Sequence, residues 1–360
     1  MRDLYFWNLF LIIFLSFQNF IAQFKKDSSE FQYYFDKAYK LRSVNVDSAF
    51  YWIDNALEVA KKLDHKEWLA KAYNLKGILH YKKSQYFTSI TELDKALKLT
   101  NDKELKGKIY INLGNTLSDL NFPYSAKRYY EDAIRMFNET QNYPFLVRAL
   151  LNLATEEFNL KEYTAARVHL KLALYYAQQQ NLVEEAAICL NNLSAMFIKT
   201  GQIDSASRYI YQSFNDYEKT ENYYGLADAY LTAISLHLTK KELSYAKAII
   251  DLADSIVDRL GYLEGKKILI QHKVNYYLLS DNNELAKRYF DEYIQLEDSF
   301  YRQKKGSVLL FSEMNQQIDA DNKITGSKNI RVSFIQLFIT ILIALACTTY
   351  LFKQYRYGEK

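Results

Sequence analysis

The sequence contains few of the residues that interrupt helices. Its 360 residues include two prolines and ten glycines. Proline and glycine commonly end helices and form the turns between short strands. The sequence also shows no evident alternation of strand-like and turn-like segments. These features argue against a sandwich or barrel of many short strands and predict an all-α chain.

Cysteine is nearly absent as well. Cys189 lies in a region of helical pattern and Cys347 lies in a long apolar run, so the two cannot reasonably pair within one chain. Stability must therefore come from the packing of the helices. A chain with so few thiols is compatible with an oxidising compartment.

The sequence lacks the motifs of known catalytic and cofactor sites. It has no phosphate-binding glycine loop, no GxSxG, no HExxH and no cysteine pairs at metal-binding spacing. Its five histidines are scattered, and the pairs Glu156–Glu157 and Glu184–Glu185 are interpreted as solvated helix surface. We therefore expect no catalytic residues, no cofactor and no metal. A net charge of +4 over the whole chain does not predict a nucleic acid partner.

A pattern of large and small residues in 110–137 predicts two packed helices. One face of the first helix carries Tyr110, Leu113, Gly114 and Leu117. The second helix has Pro123 in its first turn, where a missing N–H costs little, and presents Ala126, Tyr130 and Ala133. Because Gly114 and Ala126 have almost no side chain, the two backbones can approach closely. The segment is thus predicted to be an antiparallel hairpin.

The small residue that opens this second helix recurs along the chain. Successive occurrences are 40 residues apart, except for one interval of 37 between positions 89 and 126. The series is Ala49, Ser89, Ala126, Ala166, Ala206, Ala246 and Ala286. Four residues later the series is Ile53, Leu93, Tyr130, Leu170, Ile210, Ile250 and Phe290. Seven hairpins in register are therefore predicted.

The order of an aromatic residue, Leu-Gly, Ala, an aromatic residue and Ala resembles the tetratricopeptide repeat. The resemblance covers roughly residues 31–301. It implies a right-handed α-solenoid of about seven antiparallel helix pairs, with the first helices lining a concave surface that binds a segment of another protein. The usual repeat of that family has about 34 residues, so we interpret the extra residues here as a longer second helix.

Two apolar segments flank the repeats. The first resembles a secretory signal, and a retained signal anchor is the alternative. The second contains an apolar run of about 21 residues, which is long enough to cross a bilayer. The predicted organisation is a signal at 1–22, a solenoid at 27–303, a helical connector at 304–330, a transmembrane helix at 331–352 and a cytoplasmic tail at 353–360. This layout predicts a solenoid in the bacterial periplasm, anchored in the inner membrane.

The predicted partner-binding residues lie on the first helices. They are Lys71, Asn74, Lys108, Asn115, Arg148, Leu151 and Phe158. The three cations occupy the same repeat position in consecutive repeats, and cations in a first helical turn oppose the helix dipole. They therefore suggest a basic strip for an acidic partner, with ordinary solvated surface as the alternative. The Lys and Asn spacing of the family's carboxylate clamp is missing, because Asn74 is followed by Ile78.

Two functions remain open on the sequence alone. The first is a scaffold or adaptor that binds a protein or peptide in its groove. The second follows from the layout, which resembles the periplasmic input half of membrane-anchored bacterial sensors with tetratricopeptide ectodomains. In that case a separate cytoplasmic partner would provide the output. Whether an adjacent reading frame encodes such a partner would discriminate between the two.

Overall fold

A computed structural model describes residues 23–299 and Arg302. The described residues form fourteen helices and no strand. Their bounds are 23–41 (α1), Val46–Lys62 (α2), Lys66–Lys82 (α3), Tyr86–Leu99 (α4), Lys103–Asp119 (α5), Pro123–Thr140 (α6), Tyr143–Asn159 (α7), Tyr163–Gln179 (α8), Val183–Lys199 (α9), Ile203–Lys219 (α10), Tyr223–Thr239 (α11), Leu243–Leu260 (α12), Leu263–Leu279 (α13) and 283–299 (α14).

The segments predicted at both ends fall outside this part of the chain. The signal at 1–22, the connector at 304–330, the transmembrane helix at 331–352 and the tail at 353–360 all lie beyond the described residues. Among the helices within 23–299, none is both long and apolar enough to cross a bilayer.

The seven predicted hairpins are confirmed. Each odd-numbered helix is the first of a pair and each even-numbered helix is the second. The small residues that open the second helices, from Ala49 to Ala286, are all 0–3% exposed. The large residues four positions later are equally buried from Ile53 to Ile250. Phe290 is the departure, at 50% exposure, because α14 is the last described helix and no further first helix packs on it within the described residues.

The prediction of a longer second helix is wrong. Between α2 and α13, first and second helices have nearly the same length, 17 or 18 residues, except for the 14-residue α4. The three residues missing from α4 account for the single 37-residue interval. The additional length of the repeat is therefore shared by both helices of each hairpin.

Most of the turns share one backbone feature. Eleven of the thirteen turns contain a residue in the left-handed region, with φ between 48° and 76°, and the turns between α1 and α2 and between α4 and α5 do not. From the third hairpin onward these residues are spaced 20 apart, at Asn121, Gln141, Lys161, Asn181, Gly201, Glu221, Lys241, Gly261 and Asp281. A helix of about 17 residues and a short turn with one left-handed residue thus form a half-repeat of 20.

The first helices form the inner face of the array. Among α2 to α13, each of α3, α5, α7, α9 and α11 contacts the next first helix, whereas successive second helices do not contact one another. The side on which the helices come closer is the shorter side of a curved stack. This arrangement makes the first-helix face concave, as the repeat resemblance implies. The handedness of the solenoid stays a prediction.

We expect Ala166→Leu to lower the free energy of unfolding by about 1–3 kcal/mol, because added methyl groups overpack a filled interface. Ala166 and Ala154 are both fully buried. In the next repeat the equivalent pair is in contact, since the Ser194 hydroxyl donates to the Ala206 carbonyl at 2.9 Å. Denaturant unfolding of the variant measures the effect. An unchanged midpoint would contradict the register.

Candidate functional site

A row of asparagines connects the first helices across the concave face. Asn112 Nδ2 donates to Asn74 Oδ1 at 2.9 Å, and Asn152 Nδ2 donates to Asn115 Oδ1 at 2.8 Å. The hydroxyl of Tyr130 also donates to Asn115 Oδ1, at 2.9 Å. The two asparagine–asparagine bonds join one repeat to the next, whereas the Tyr130 bond lies within the third hairpin. Two of the predicted residues, Asn74 and Asn115, therefore belong to an amide ladder.

The ladder could have been found in the sequence. Asn112, Asn152 and Asn192 follow one another at intervals of 40, on the helices that line the predicted groove. Sequence reasoning selected Asn74 and Asn115 and missed these three. Recurrence at the repeat period would have identified them.

A cavity of about 230 Å³ opens between α7, α8 and α9, and Thr155 of its lining lies one helical turn after Asn152 of the ladder. Its apolar wall is formed by Ala154, Phe158, Leu170 and Ala195, and its polar lining by Thr155, Asn159 and Asn192. Phe158 is half-buried, and its ring meets Tyr163 edge-on at 5.6 Å between centroids. The cavity can therefore hold an apolar side chain of a bound peptide, while its polar lining residues contact the backbone of that peptide.

The three predicted cations differ in their surroundings. Lys71 is exposed and forms no ion pair within the described part of the chain. Lys108 Nζ lies 2.6 Å from Glu104 and 4.7 Å from the centre of the Phe145 ring. The Arg148 guanidinium lies 5.3 Å from the centre of the same ring. Lys108 and Arg148 are thus brought together on one aromatic side chain.

Leu151 differs from the other predicted groove residues. It is 6% exposed and belongs to the core that joins the third to sixth hairpins. Leu151 therefore supports the groove from below and is not part of its accessible surface.

The interpretation of Glu156 and Glu157 as solvated surface is wrong. They are 3% and 2% exposed. Glu157 occupies the repeat position of Leu117, where a side chain faces the second helix. It contacts Lys127 Nζ at 3.4 Å and His169 Nδ1 at 2.7 Å. These polar partners compensate the buried carboxylate.

Glu156 lies on the groove side of the same helix. It accepts a hydrogen bond from the hydroxyl of Ser118, on the neighbouring first helix. Burial raises the pKa of Glu156, and this hydrogen bond partly offsets the effect. The contact is one more polar link between successive first helices.

The charge along the basic edge reverses farther down the array. Asp228 occupies in the sixth hairpin the position held by Lys108 in the third. It accepts a hydrogen bond from the Tyr262 hydroxyl at 3.0 Å, and burial raises its pKa to about 6. The basic character predicted for this edge is thus limited to the second, third and fourth hairpins.

His80 and His237, which occupy equivalent repeat positions, have packing roles. His237 is 8% exposed, lies 2.7 Å from Glu242 and stacks on Tyr245. His80 meets Phe50 edge-on and lies 2.7 Å from Gln85. No group of three or more His, Cys, Asp or Glu side chains within the described residues is arranged to hold a metal.

Comparison with known proteins finds similarity in structure. No family model matches the sequence, and a search of curated proteins found no match. The apo form of RapI is similar, with a TM-score of 0.64 at 18% identity, over 77% of this chain and 99% of RapI. A Rap protein complexed with competence and sporulation factor has a TM-score of 0.56 at 14% identity, over 81% and 98%.

A third structure is NprR in complex with its cognate peptide NprX. Its TM-score is 0.56 at 15% identity, over 79% of this chain and 87% of NprR. At identities this low, the similarity in structure shows a shared fold and nothing more specific. Together with seven hairpins in register, this similarity shows that the chain has the tetratricopeptide-type fold, a solenoid of repeated antiparallel helix pairs.

Proposed function

We propose that the concave face binds a peptide or an extended segment of another protein, without catalysis by this chain. The cavity at Phe158, on the helix that also carries Asn152 of the asparagine ladder, is the observation that carries the proposal. Two structures of similar fold support it, because one holds competence and sporulation factor and the other holds the peptide NprX.

The ladder leaves polar groups suited to a peptide backbone. Nδ2 of Asn74 and Asn115, and Oδ1 of Asn112 and Asn152, have no hydrogen-bond partner among the described residues. An extended peptide presents one N–H and one C=O per residue, and both must be satisfied when it is bound. The amides of the ladder can supply both kinds of bond, and the cavity can take one apolar side chain of the same peptide.

The basic strip provides selection by charge. Lys71 and Arg148 are exposed, and the partly buried Lys108 lies on the same Phe145 ring as Arg148. An acidic segment in the ligand would approach this end of the groove favourably. Each exposed pair contributes only about 0–1 kcal/mol, so the effect depends on several charges acting together.

The test uses the partner that co-purifies with the protein after crosslinking in cells. We expect Phe158→Ala to weaken binding of the purified partner about tenfold or more, since a central apolar anchor dominates binding energy. A triple variant with Lys71, Lys108 and Arg148 changed to Glu should also weaken binding of the partner. The loss should be larger at low salt than at moderate salt, because salt screens charge. Titration by fluorescence anisotropy measures both effects.

The matched control changes three exposed lysines outside the first helices, Lys161, Lys171 and Lys241, to Glu. This variant has the same net charge as the first triple variant and should retain wild-type affinity. Equal binding by folded Phe158→Ala and wild type would remove the cavity from the proposal. Equal effects of the two triple variants would reduce the strip to solvated surface.

The proposal includes a location outside the cytoplasm, with an anchor in the bacterial inner membrane. Its support is the pair of apolar segments in the sequence, at 1–22 and 331–352. We expect alkaline phosphatase to be active when fused after Ser327 and inactive when fused after Lys360. A matched series of fluorescent-protein fusions should show the opposite pattern. Phosphatase activity at Lys360 and none at Ser327 would reverse the topology.

A sensory ectodomain is the alternative form of the same function. The layout of signal, repeats and one membrane helix favours it. In this form, ligand binding in the groove would be passed to a separate cytoplasmic partner. Deleting residues 353–360 should then abolish the response while leaving ligand binding intact, whereas a scaffold would be unaffected.

A further inference from the structure

Four aromatic side chains meet on the surface of the first hairpin, at the seam between α1 and α2. The Trp52 ring is at the centre of the group. Its centroid lies 5.8 Å from that of Tyr33, 5.8 Å from that of Tyr34 and 5.1 Å from that of Tyr51. We call these four residues the Trp52 cluster. It lies three hairpins before the cavity at Phe158 and shares no residue with the proposed peptide site.

Two rings of the Trp52 cluster stand upright against a third. The Tyr33 and Tyr51 rings are inclined to the Trp52 ring by 88° and 77°, whereas the Tyr34 ring is inclined by only 28°. Tyr33 and Tyr51 are 52% and 64% exposed, and Tyr34 and Trp52 are partly buried. A ligand that arrives from solvent can therefore reach rings that face in different directions.

The packing of a hairpin does not require this many rings. The repeat position of Trp52 holds Tyr129 in the third hairpin and Tyr209 in the fifth, and each of these pairs with a ring of its own first helix. The position of Tyr51 holds no aromatic residue in any of the other six hairpins. One ring pair is thus sufficient for packing, and the exposed rings of Tyr33 and Tyr51 are additional. Grouped exposed apolar side chains of this kind mark interaction sites.

The surroundings of the Trp52 cluster favour a positively charged ligand. The face of an aromatic ring attracts a cation that lies within about 6 Å of its centroid. The Lys37 ammonium already lies 5.6 Å from the centre of the Tyr33 ring. A carboxylate is also present, because Glu30 Oε1 accepts a hydrogen bond from the Tyr34 hydroxyl at 3.0 Å. This hydrogen bond is the main reason that the pKa of Tyr34 is raised, so the hydroxyl stays protonated.

We propose that the Trp52 cluster binds the quaternary ammonium group of a small soluble molecule, with its methyl groups against the rings of Tyr33, Tyr51 and Trp52. A quaternary ammonium has no N–H group, so it loses no hydrogen bond when rings replace its water, whereas a lysine ammonium has three donors to satisfy. A hydroxyl on the same molecule can donate to Glu30. The matching class is therefore a trimethylammonium alcohol, and its binding does not depend on the concave groove.

The experiment titrates choline onto the full chain in a maltoside detergent and measures saturation transfer to the choline methyl resonance by NMR. Neohexyl alcohol is the comparison, because it has the shape of choline without the charge. We expect choline to bind in the millimolar range and neohexyl alcohol to bind at least about tenfold more weakly, since an uncharged group is not attracted to the ring faces.

Three variants test the site. Tyr51→Leu removes one ring but keeps an apolar side chain, and it should weaken choline binding about threefold to tenfold. Lys37→Gln should strengthen choline binding about twofold or more, because Lys37 lies on the Tyr33 ring and repels a second cation. Tyr211→Leu changes a tyrosine on α10 that is 58% exposed, and this control should leave the affinity for choline unchanged.

A further ligand separates two sources of the trimethylammonium group, which also occurs in the headgroup of phosphatidylcholine. Glycerophosphocholine should bind more weakly than choline, because its phosphate would lie beside the Glu30 carboxylate. Glu30→Gln should reduce this difference. Equal or tighter binding of glycerophosphocholine by the wild type would assign the cluster to a lipid headgroup, and the assignment to a soluble molecule would be wrong.

The remaining outcomes also decide the inference. Equal affinities for choline and neohexyl alcohol would show an apolar contact without recognition of charge, and the inference would be wrong. Equal effects of Tyr51→Leu and Tyr211→Leu, or no saturation transfer at millimolar choline, would contradict it as well. None of these results would change the proposed function, because peptide binding is tested separately at Phe158.

Discussion

Replacing Tyr217 by alanine is expected to lower the free energy of unfolding by about 3–5 kcal/mol, the usual cost of removing a buried aromatic side chain. Tyr217 lies on α10 and is 2% exposed. Its ring fills the space above Gly225, where an added Cβ would lie only 2.2 Å from the ring. The loss of this ring would leave a cavity at the junction of the fifth and sixth hairpins. Urea denaturation followed by circular dichroism measures the change.

The same helix offers a matched control. Tyr211 is 58% exposed, so Tyr211→Ala should cost no more than about 0.5 kcal/mol. Gly225→Ala should also destabilise, because the buried ring would have to move. In the double variant with Tyr217→Ala, the effect of Gly225→Ala should largely disappear, since the two sites are in contact. Similar losses for Tyr217→Ala and Tyr211→Ala would refute this packing.

Glu157→Ala is expected to lower the free energy of unfolding by about 2–4 kcal/mol, because removing one partner of a buried ion pair leaves the others uncompensated and creates a cavity. Glu157 contacts Lys127 and His169 from a position that is 2% exposed. Lys127 also pairs with Glu162 at the protein surface, so part of its charge remains compensated. The unfolding midpoint in urea measures the loss.

Glu157→Leu distinguishes charge from volume. The equivalent positions in the neighbouring repeats hold Leu117 and Phe197, which are 2% and 5% exposed. An apolar side chain of similar size should therefore cost less than alanine, and replacing a buried ion pair in this way can even stabilise a protein. Glu131→Ala, at an exposed site on α6, is the control and should change stability by less than about 0.5 kcal/mol. A larger loss with leucine than with alanine would contradict this account.

Much of the fold was predictable because every hairpin repeats the same packing requirement. A small residue such as Ala166 must stand where two helices cross closely, and a large one such as Leu170 must fill the space beside it. Because the requirement recurs, the pattern recurs, and chance matches become improbable. The same logic would have found Asn112 and Asn152, since their amide ladder also follows the repeat.

The candidate site was predictable only in part. Phe158 lies in the cavity and Asn115 lies in the ladder, as their repeat positions suggested. Leu151 occupies a position of the same face but is buried, because it belongs to the core that joins neighbouring repeats. The solvent exposure of such a residue depends on the side chains of the adjacent repeats, and its position within its own repeat does not predict them.

The sequence alone determined the helical class, the number of hairpins and the face that meets the partner helix in each, because all three follow from residue size and apolar periodicity. Only the tertiary structure showed that the two helices of each hairpin have equal lengths, because the turns set where each helix ends. Most turns use non-glycine residues such as Lys161 and Glu221 at positive φ, and such residues carry no turn signal in a sequence. The tertiary structure also decided that Glu156 and Glu157 are buried. A carboxylate can be buried only where partners such as Ser118, Lys127 and His169 come to it from other helices, and that meeting exists only in the folded array.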